Sequence, residues 1–232
     1  MGLSIKNLSA WYGQAQALRD INIEVGDGEV VGVLGRNGAG KTTLLRSIAG
    51  LQPKISGEIL MNGRPITSLS PYLIALRGLA LLREGATMAA SLTVTQHLEL
   101  GRRLARKRQR QARALDDIWR WFPLLQPLRL RPAGLLSGGQ RQALALASAF
   151  IADPEILLLD EPSTGLAPLI AHELFAIIGK LAGQGLRVLV VEQHPAWLEG
   201  LAHRNYLLEV GSVIAQGDIR ELLAQQSFVN TA

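Results

Sequence analysis

The 232-residue chain has no cysteine, which excludes disulfides and thiolate metal sites and suits a reducing compartment. Long apolar runs are missing as well, and none approaches the ~20 residues that a membrane-spanning helix needs. The first seven residues have no basic tip followed by an apolar stretch, so neither a secretory signal nor an anchor is expected. A cytosolic location follows as the expectation. Neither a low-complexity linker nor an internal repeat divides the chain, so any second domain is inserted rather than appended. Acidic charge is nearly absent from one stretch. Residues 102–131 hold ten Lys or Arg against only Asp116 and Asp117. The whole chain has 24 basic and 19 acidic residues, a formal charge of +5, so outside that stretch it is slightly acidic. A general basic coat is therefore excluded, although the pI is near 10.0. With 48% hydrophobic residues the chain can bury a core, and its 24 glycines argue against a plain helical bundle.

Short apolar runs alternate with longer amphipathic stretches. Residues 30–34, 156–159 and 188–191 read as strands buried on both faces of a parallel sheet. Helical stretches lie at 41–49, 139–151 and 169–182, an alternation that predicts α/β layers. The beginning differs: 3–8, 18–25 and 58–62 read as strands of an antiparallel sheet, separated by turns such as Gly26-Asp27-Gly28. Residues 205–210 and 213–216 form a hairpin around Gly211-Ser212, and a last helix is expected from Asp218. Residues 94–130 show no strand pattern and read as a helical insertion.

The strongest motif is Gly35-Arg36-Asn37-Gly38-Ala39-Gly40-Lys41-Thr42-Thr43, between a strand and a helix. Its glycines let backbone N–H groups close around phosphate oxygens, Lys41 brings positive charge to the β and γ phosphates, and the Thr42 hydroxyl suits Mg²⁺. The dinucleotide fingerprint fails here, because Thr43 stands where its third glycine belongs. A second motif, Ile156-Leu157-Leu158-Leu159-Asp160-Glu161-Pro162, places two carboxylates at the C-terminal end of a buried strand. Alone, such a pair is an ordinary solvated turn. Beside a P-loop, Asp160 suits the Mg²⁺ shell and Glu161 suits the general base that takes a proton from attacking water. Third is Leu136-Ser137-Gly138-Gly139-Gln140, where Ser137 caps a helix whose first N–H groups can meet an anion. A second phosphate element is redundant in one chain unless it serves another nucleotide or a partner's.

Together these residues resemble the nucleotide-binding subunits of ATP-binding cassette transporters, over nearly the whole chain. The resemblance implies a P-loop NTPase with a mainly parallel core sheet, an N-terminal antiparallel β subdomain and a helical subdomain inserted at about 90–152, all in one domain spanning 1–232. It places Walker A at 35–42, the signature at 136–140, Walker B at 156–160 with Glu161 after it, and the D-loop at 162–166. Tyr12 sits where the family stacks an aromatic on adenine. The implied ligands are ATP and Mg²⁺, with Gly35, Asn37, Gly38, Ala39, Gly40, Lys41, Thr42 and Thr43 around the phosphates. In the family two such subunits, alike or different, pair head to tail, so that Ser137, Gly138, Gly139 and Gln140 cap the partner's ATP. Two transmembrane permease subunits, and indirectly an extracytoplasmic solute-binding protein, complete the expected assembly on the cytoplasmic face of the membrane. No nucleic acid is expected.

Leu159 to Ser163, Gly165-Leu166-Ala167-Pro168-Leu169-Ile170 and Val191-Glu192-Gln193 are most similar to the second ATPase subunit of branched-chain amino acid importers. Urea, amide and lipopolysaccharide systems are relatives, and a non-transport ATPase acting on nucleic acid or ribosomes is the distant alternative. Two positions depart from the family. Arg83 and Glu84 stand where it has Pro-Gln in the Q-loop, so Glu84 offers oxygens to a metal but no amide donor. At the switch, Gln193 takes the place of the usual histidine, and His194 follows one residue later. His97, His172 and His203 have no metal-ligand spacing. The seven basic residues of 102–113 read either as a solvated helix face or as a patch toward the membrane or acidic permease loops.

Overall fold

A computed structural model describes residues 2–52, 54–85 and 88–222. Three strands, β1 (Leu3–Tyr12), β2 (Ala15–Val25) and β4 (Lys54–Met61), with the short β5 (Arg64–Pro65), form an antiparallel sheet in the order β2-β1-β4-β5. The second sheet contains β3 (Val30–Leu34), β6 (Leu79–Leu82), β7 (Ile156–Asp160), β8 (Arg187–Glu192), β9 (Arg204–Glu209) and β10 (Ser212–Gly217). Its order is β10-β9-β3-β8-β7-β6, and every neighbouring pair is parallel except the β9–β10 hairpin. The turn at Gly26-Asp27-Gly28 passes the chain from one sheet to the other.

All five residues of β3 and of β7 are buried, as a sheet covered on both faces requires. Their side chains divide by parity between two apolar clusters. Leu157, Leu159, Val188 and Val190 point toward the helices that follow residue 94. Ile156, Leu158, Leu189 and Val191 point toward α1 (Lys41–Ile48) and the antiparallel sheet. A slip of one residue in either strand would exchange these faces, so burial fixes the register.

Helix α2 (Pro71–Leu76) starts from a Ser70 cap with Pro at its first position, and it was not expected from the sequence. Nor was β6, since 78–85 read as loop. Leu-Ala-Leu-Leu is too short to show a period, but Leu79 and Leu82 are buried and the segment pairs with β7 in parallel. The 94–130 region is helical: α3 (Val94–Lys107), α4 (Leu115–Trp121) and two short 3-10 turns pack against α5 (Gly138–Ile151). Both α3 and α5 open with reciprocal capping boxes, Thr93 with Gln96 and Ser137 with Gln140. Helix α6 (Pro168–Ala182) covers the same face of the sheet. A helical turn begins at Ile219, where the Asp218 carboxylate accepts from the Arg220 N–H at 2.8 Å. The rest of the expected last helix lies outside the described residues.

The basic run is not the uniform solvated face it resembles in sequence. Arg103, Arg106 and Lys107 are exposed, whereas Arg108 turns inward and donates to the carbonyls of Ala152 and Asp153, each at 2.9 Å, and of Leu76 at 3.3 Å. Arg110 pairs with Glu155, and Arg113 pairs with Asp153 at 3.2 Å while lying 4.1 Å from the centre of the Phe150 ring. These three guanidinium groups fasten the α3–α4 connection to the residues between α5 and β7.

Candidate active site

The site lies at the C-terminal ends of the parallel strands, where an open α/β sheet places its ligands. Chain geometry at 35–43 follows from its glycines. Gly38 and Gly40 have φ of 81° and 109°, a region L-residues rarely occupy. A Cβ on Gly35 would lie 2.6 Å from the Leu208 carbonyl, so only glycine permits that approach. The Gly211 N–H donates to the Ala39 carbonyl at 2.9 Å, anchoring the loop to the β9–β10 turn. The first N–H groups of α1 have no partner within the helix and, with its dipole, favour an anion.

Lys41 is 4% exposed, and its ammonium is fully paired. It donates to the carbonyls of Gly35 at 2.7 Å and Arg36 at 3.0 Å, and lies 3.0 Å from Glu161 Oε1. Three donors thus meet three acceptors, and a phosphate oxygen entering the loop must replace one of them. Glu161 adopts φ 44°, a strained conformation for a residue with a side chain. Its second oxygen accepts from the Thr164 hydroxyl at 3.3 Å.

The Thr42 hydroxyl donates to Asp160 Oδ1 at 3.2 Å. Burial pushes the Asp160 carboxyl above the usual range; the Thr42 bond and Lys41 oppose this, and the charges of Glu161 and Glu84 reinforce it. Among the described residues no cluster of three or more His, Asp or Glu makes a self-contained metal centre. A hydroxyl beside a carboxylate is nevertheless the hard oxygen pair that Mg²⁺ takes when nucleotide phosphates supply its other ligands.

An open cavity of about 440 Å³ joins these groups. Tyr12, Asn37, Gly38, Gly40, Lys41, Thr42, Thr43, Glu84 and Glu161 all line it, so the structure brings together half of the residues singled out in the sequence; Gly35 and Ala39 line a neighbouring groove on the far side of the loop, and Asp160 is joined to the group through Thr42. Tyr12 is half exposed, with its hydroxyl 3.4 Å from that of Thr43. Glu84 reaches the cavity from the end of β6, but Arg83 lines a separate groove beside α5. Arg19 on β2 and the turn residues Val210 and Gly211 also line the cavity and were missed, because neither a strand residue far from the P-loop in sequence nor a hairpin tip has a motif to announce it. Gln193 and His194 are exposed on the loop after β8, outside the cavity lining. Ser137, Gly138, Gly139 and Gln140 are also absent from it, with Ser137 and Gly138 exposed.

A P-loop, a strand ending in Asp-Glu beside it, and an antiparallel sheet packed on the core define an ATPase cassette. The comparisons with known proteins agree. The family model described as ABC transporter matches residues 18–164, and the chain belongs to that family as one of its ATP-hydrolysing cassettes. It is 39% identical over 212 residues to the high-affinity branched-chain amino acid transport ATP-binding protein BraG of Pseudomonas aeruginosa, covering 91% of each chain. It is 36% identical to the probable branched-chain amino acid transport ATP-binding protein LivF of Archaeoglobus fulgidus, covering 95% of this chain and 94% of that one. With the lipopolysaccharide export system ATP-binding protein LptB of Escherichia coli it shares 32% identity over 97% and 93%. Among solved structures, an ATP-binding cassette of an ABC transporter in its ADP conformation superposes with a TM-score of 0.85 at 25% identity, covering 98% and 96%.

Proposed function

We propose that the chain is the ATP-hydrolysing subunit of a membrane importer for branched-chain amino acids. The observation that carries the enzymatic part is the contact of Lys41 with Glu161 at 3.0 Å, inside a cavity that Thr42 also lines, with Asp160 hydrogen-bonded to Thr42. When the γ-phosphate draws Lys41 to itself, the Glu161 carboxylate is released to take a proton from water. Thr42 and Asp160 would hold Mg²⁺, which neutralises charge on the β and γ phosphates when bound. Glu84 is a further oxygen donor on the same side.

Ser137 to Gln140 stand outside the chain's own nucleotide cavity. Their exposure suits capping of a nucleotide held by a second subunit, so the working unit is a dimer carrying two ATP. Residues 90–152 then form the helical subdomain, next to two permease subunits on the cytoplasmic face of the membrane, with an extracytoplasmic binding protein delivering solute. Among the described residues no helix is long and apolar enough to cross a membrane. The relatives BraG and LivF support the solute class, and LptB keeps an exporter as the second reading. Internal use of Arg108, Arg110 and Arg113 weighs against a nucleic-acid role.

Glu161→Gln tests the enzymatic part: turnover falls at least about 10²-fold while ATP remains bound. Normal turnover would remove Glu161 from its role. Branched-chain amino acids that stimulate the ATPase of a co-purified permease complex would establish the solute, and stimulation by lipopolysaccharide instead would favour the second reading.

A further inference from the structure

Glu192, the last residue of β8, is 1% exposed and belongs to none of the nucleotide motifs. A buried carboxylate costs several kcal/mol unless its lone pairs are met. Here hydrogen bonds alone meet them. Oε1 accepts from the Ser163 N–H at 3.1 Å, and Oε2 accepts from the Ser163 hydroxyl at 3.0 Å and the Gln193 N–H at 3.2 Å. The backbone around it is tied to the remaining site elements. The Glu192 carbonyl accepts from the Gly35 N–H at 3.3 Å, and the Val191 carbonyl accepts from the Glu161 N–H at 3.0 Å.

One side chain therefore joins the turn after Glu161 to the loop at Gln193, at a point where the P-loop also begins. This placement bears on the strain at Glu161. A non-glycine residue at φ 44° persists only where its surroundings over-determine it. Glu161 is held on one side by Val191 and on the other by the turn, whose buried member Ser163 gives both its donors to Glu192. An apolar pair of similar volume would fill the same space without a buried charge. What the carboxylate adds is a fixed angle and distance between two loops.

We propose that Glu192 is a positioning residue for ATP hydrolysis: by clamping Ser163 to the loop at Gln193 it aims the Glu161 carboxylate, without touching nucleotide or metal itself. This inference rests on the ATPase reading above. It predicts a loss in the chemical step with binding left intact. In the full-length chain, Glu192→Gln keeps one acceptor but turns an amide donor toward N–H groups, so the clamp loosens while the side chain still fills its place. Turnover should drop about tenfold or more, as misaligned catalytic groups do, with the affinity for a fluorescent ATP analogue changed less than about twofold. Ser163→Ala should also slow turnover, and the double variant Glu192→Gln/Ser163→Ala should be no slower than Glu192→Gln alone, because both remove the same link. Three results would overturn the clamp: unchanged turnover in Glu192→Gln, effects of the two substitutions that simply add, or a loss of affinity and of thermal midpoint that parallels the loss of turnover. Those results require an active wild type. Wild-type protein with no Mg²⁺-dependent ATP turnover would instead overturn the ATPase reading, and the clamp with it.

Discussion

At the N-terminal end of the parallel strands Arg110 meets Glu155, Arg113 meets Asp153 and Arg187 meets Asp27, whereas at the C-terminal end Asp160, Glu161, Glu192 and Glu84 gather near Lys41 and Arg19. Each carboxylate of the first group has a guanidinium partner, and the pairs sit on segments that meet there: 108–113, 153–155 and the turns before β3 and β8. In the second group the ion pair is Lys41 with Glu161, and Asp160 and Glu192 are buried with hydroxyl or N–H donors in place of cations. Balanced charge marks the end that holds the fold together. Unbalanced carboxylates beside the P-loop mark the end where the proposed reading places nucleotide and Mg²⁺.

The sharpest way to break this contrast is to remove the cation of the second end. Lys41→Ala should lower ATP turnover by about 10²-fold or more, since the positive charge at the γ-phosphate goes with it. It should also release Glu161 from its pair. Steady-state ATPase measurements with direct nucleotide binding check both halves, and a variant that hydrolyses ATP normally would place the phosphates elsewhere.

At the opposite end, Arg108→Ala should leave nucleotide affinity unchanged and cost stability. Three carbonyls, of Leu76, Ala152 and Asp153, lose a half-buried charged donor. A cost of about 2 kcal/mol is expected, read as a lower urea midpoint with an unchanged slope. Arg108→Lys should recover little of it, because an ammonium lacks the planar fork that serves these carbonyls together. A large loss of ATP affinity in Arg108→Ala would show that the two ends are not separate.

How much of this was legible in the sequence depends on the chain distance between partners. The P-loop is local, nine residues whose glycines, lysine and threonines each act within one turn, and its spacing announced it. Walker B was legible because a buried strand puts its last residue, Asp160, and the Glu161 that follows it beside the P-loop. The basic run misled because the acidic partners of Arg113 and Arg110, Asp153 and Glu155, lie some 40 residues away along the chain, in the loop after α5. Arginines whose partners are that distant therefore read as a solvated face or as a patch toward the membrane or permease. Glu192 entered only as part of a subgroup likeness, and its role was hidden for the same reason: Ser163, its main partner, is 29 residues distant, and a glutamate ending a strand carries no sign of burial. The β6 edge escaped because four residues are too few for a period, and Arg19 because the fold alone carries β2 to the cavity.

The smallest expected effect is in the dependence of stability on pH, where the two ends have opposite signs. Arg187, by hydrogen bond and charge, holds the exposed Asp27 carboxyl below its ordinary range. Its contribution is present above the unfolded value and is lost as pH falls through the lowered one. Burial does the reverse to Asp160 and Glu192, holding both above the ordinary range. Between the ordinary and the raised value the folded chain binds more protons than the unfolded chain, so these two groups subtract stability as pH rises through that interval. Asp160→Asn keeps an oxygen for the Thr42 hydroxyl and removes the buried charge. At pH 7 it should therefore be more stable than wild type by about 1 kcal/mol, while losing Mg²⁺-dependent nucleotide binding. The advantage should shrink as pH falls through the raised value, where wild-type Asp160 itself takes up a proton. Denaturation midpoints of both proteins across that range decide it: a constant difference, or a less stable Asp160→Asn at pH 7, would mean that the carboxylate at this end is matched as fully as those at the other.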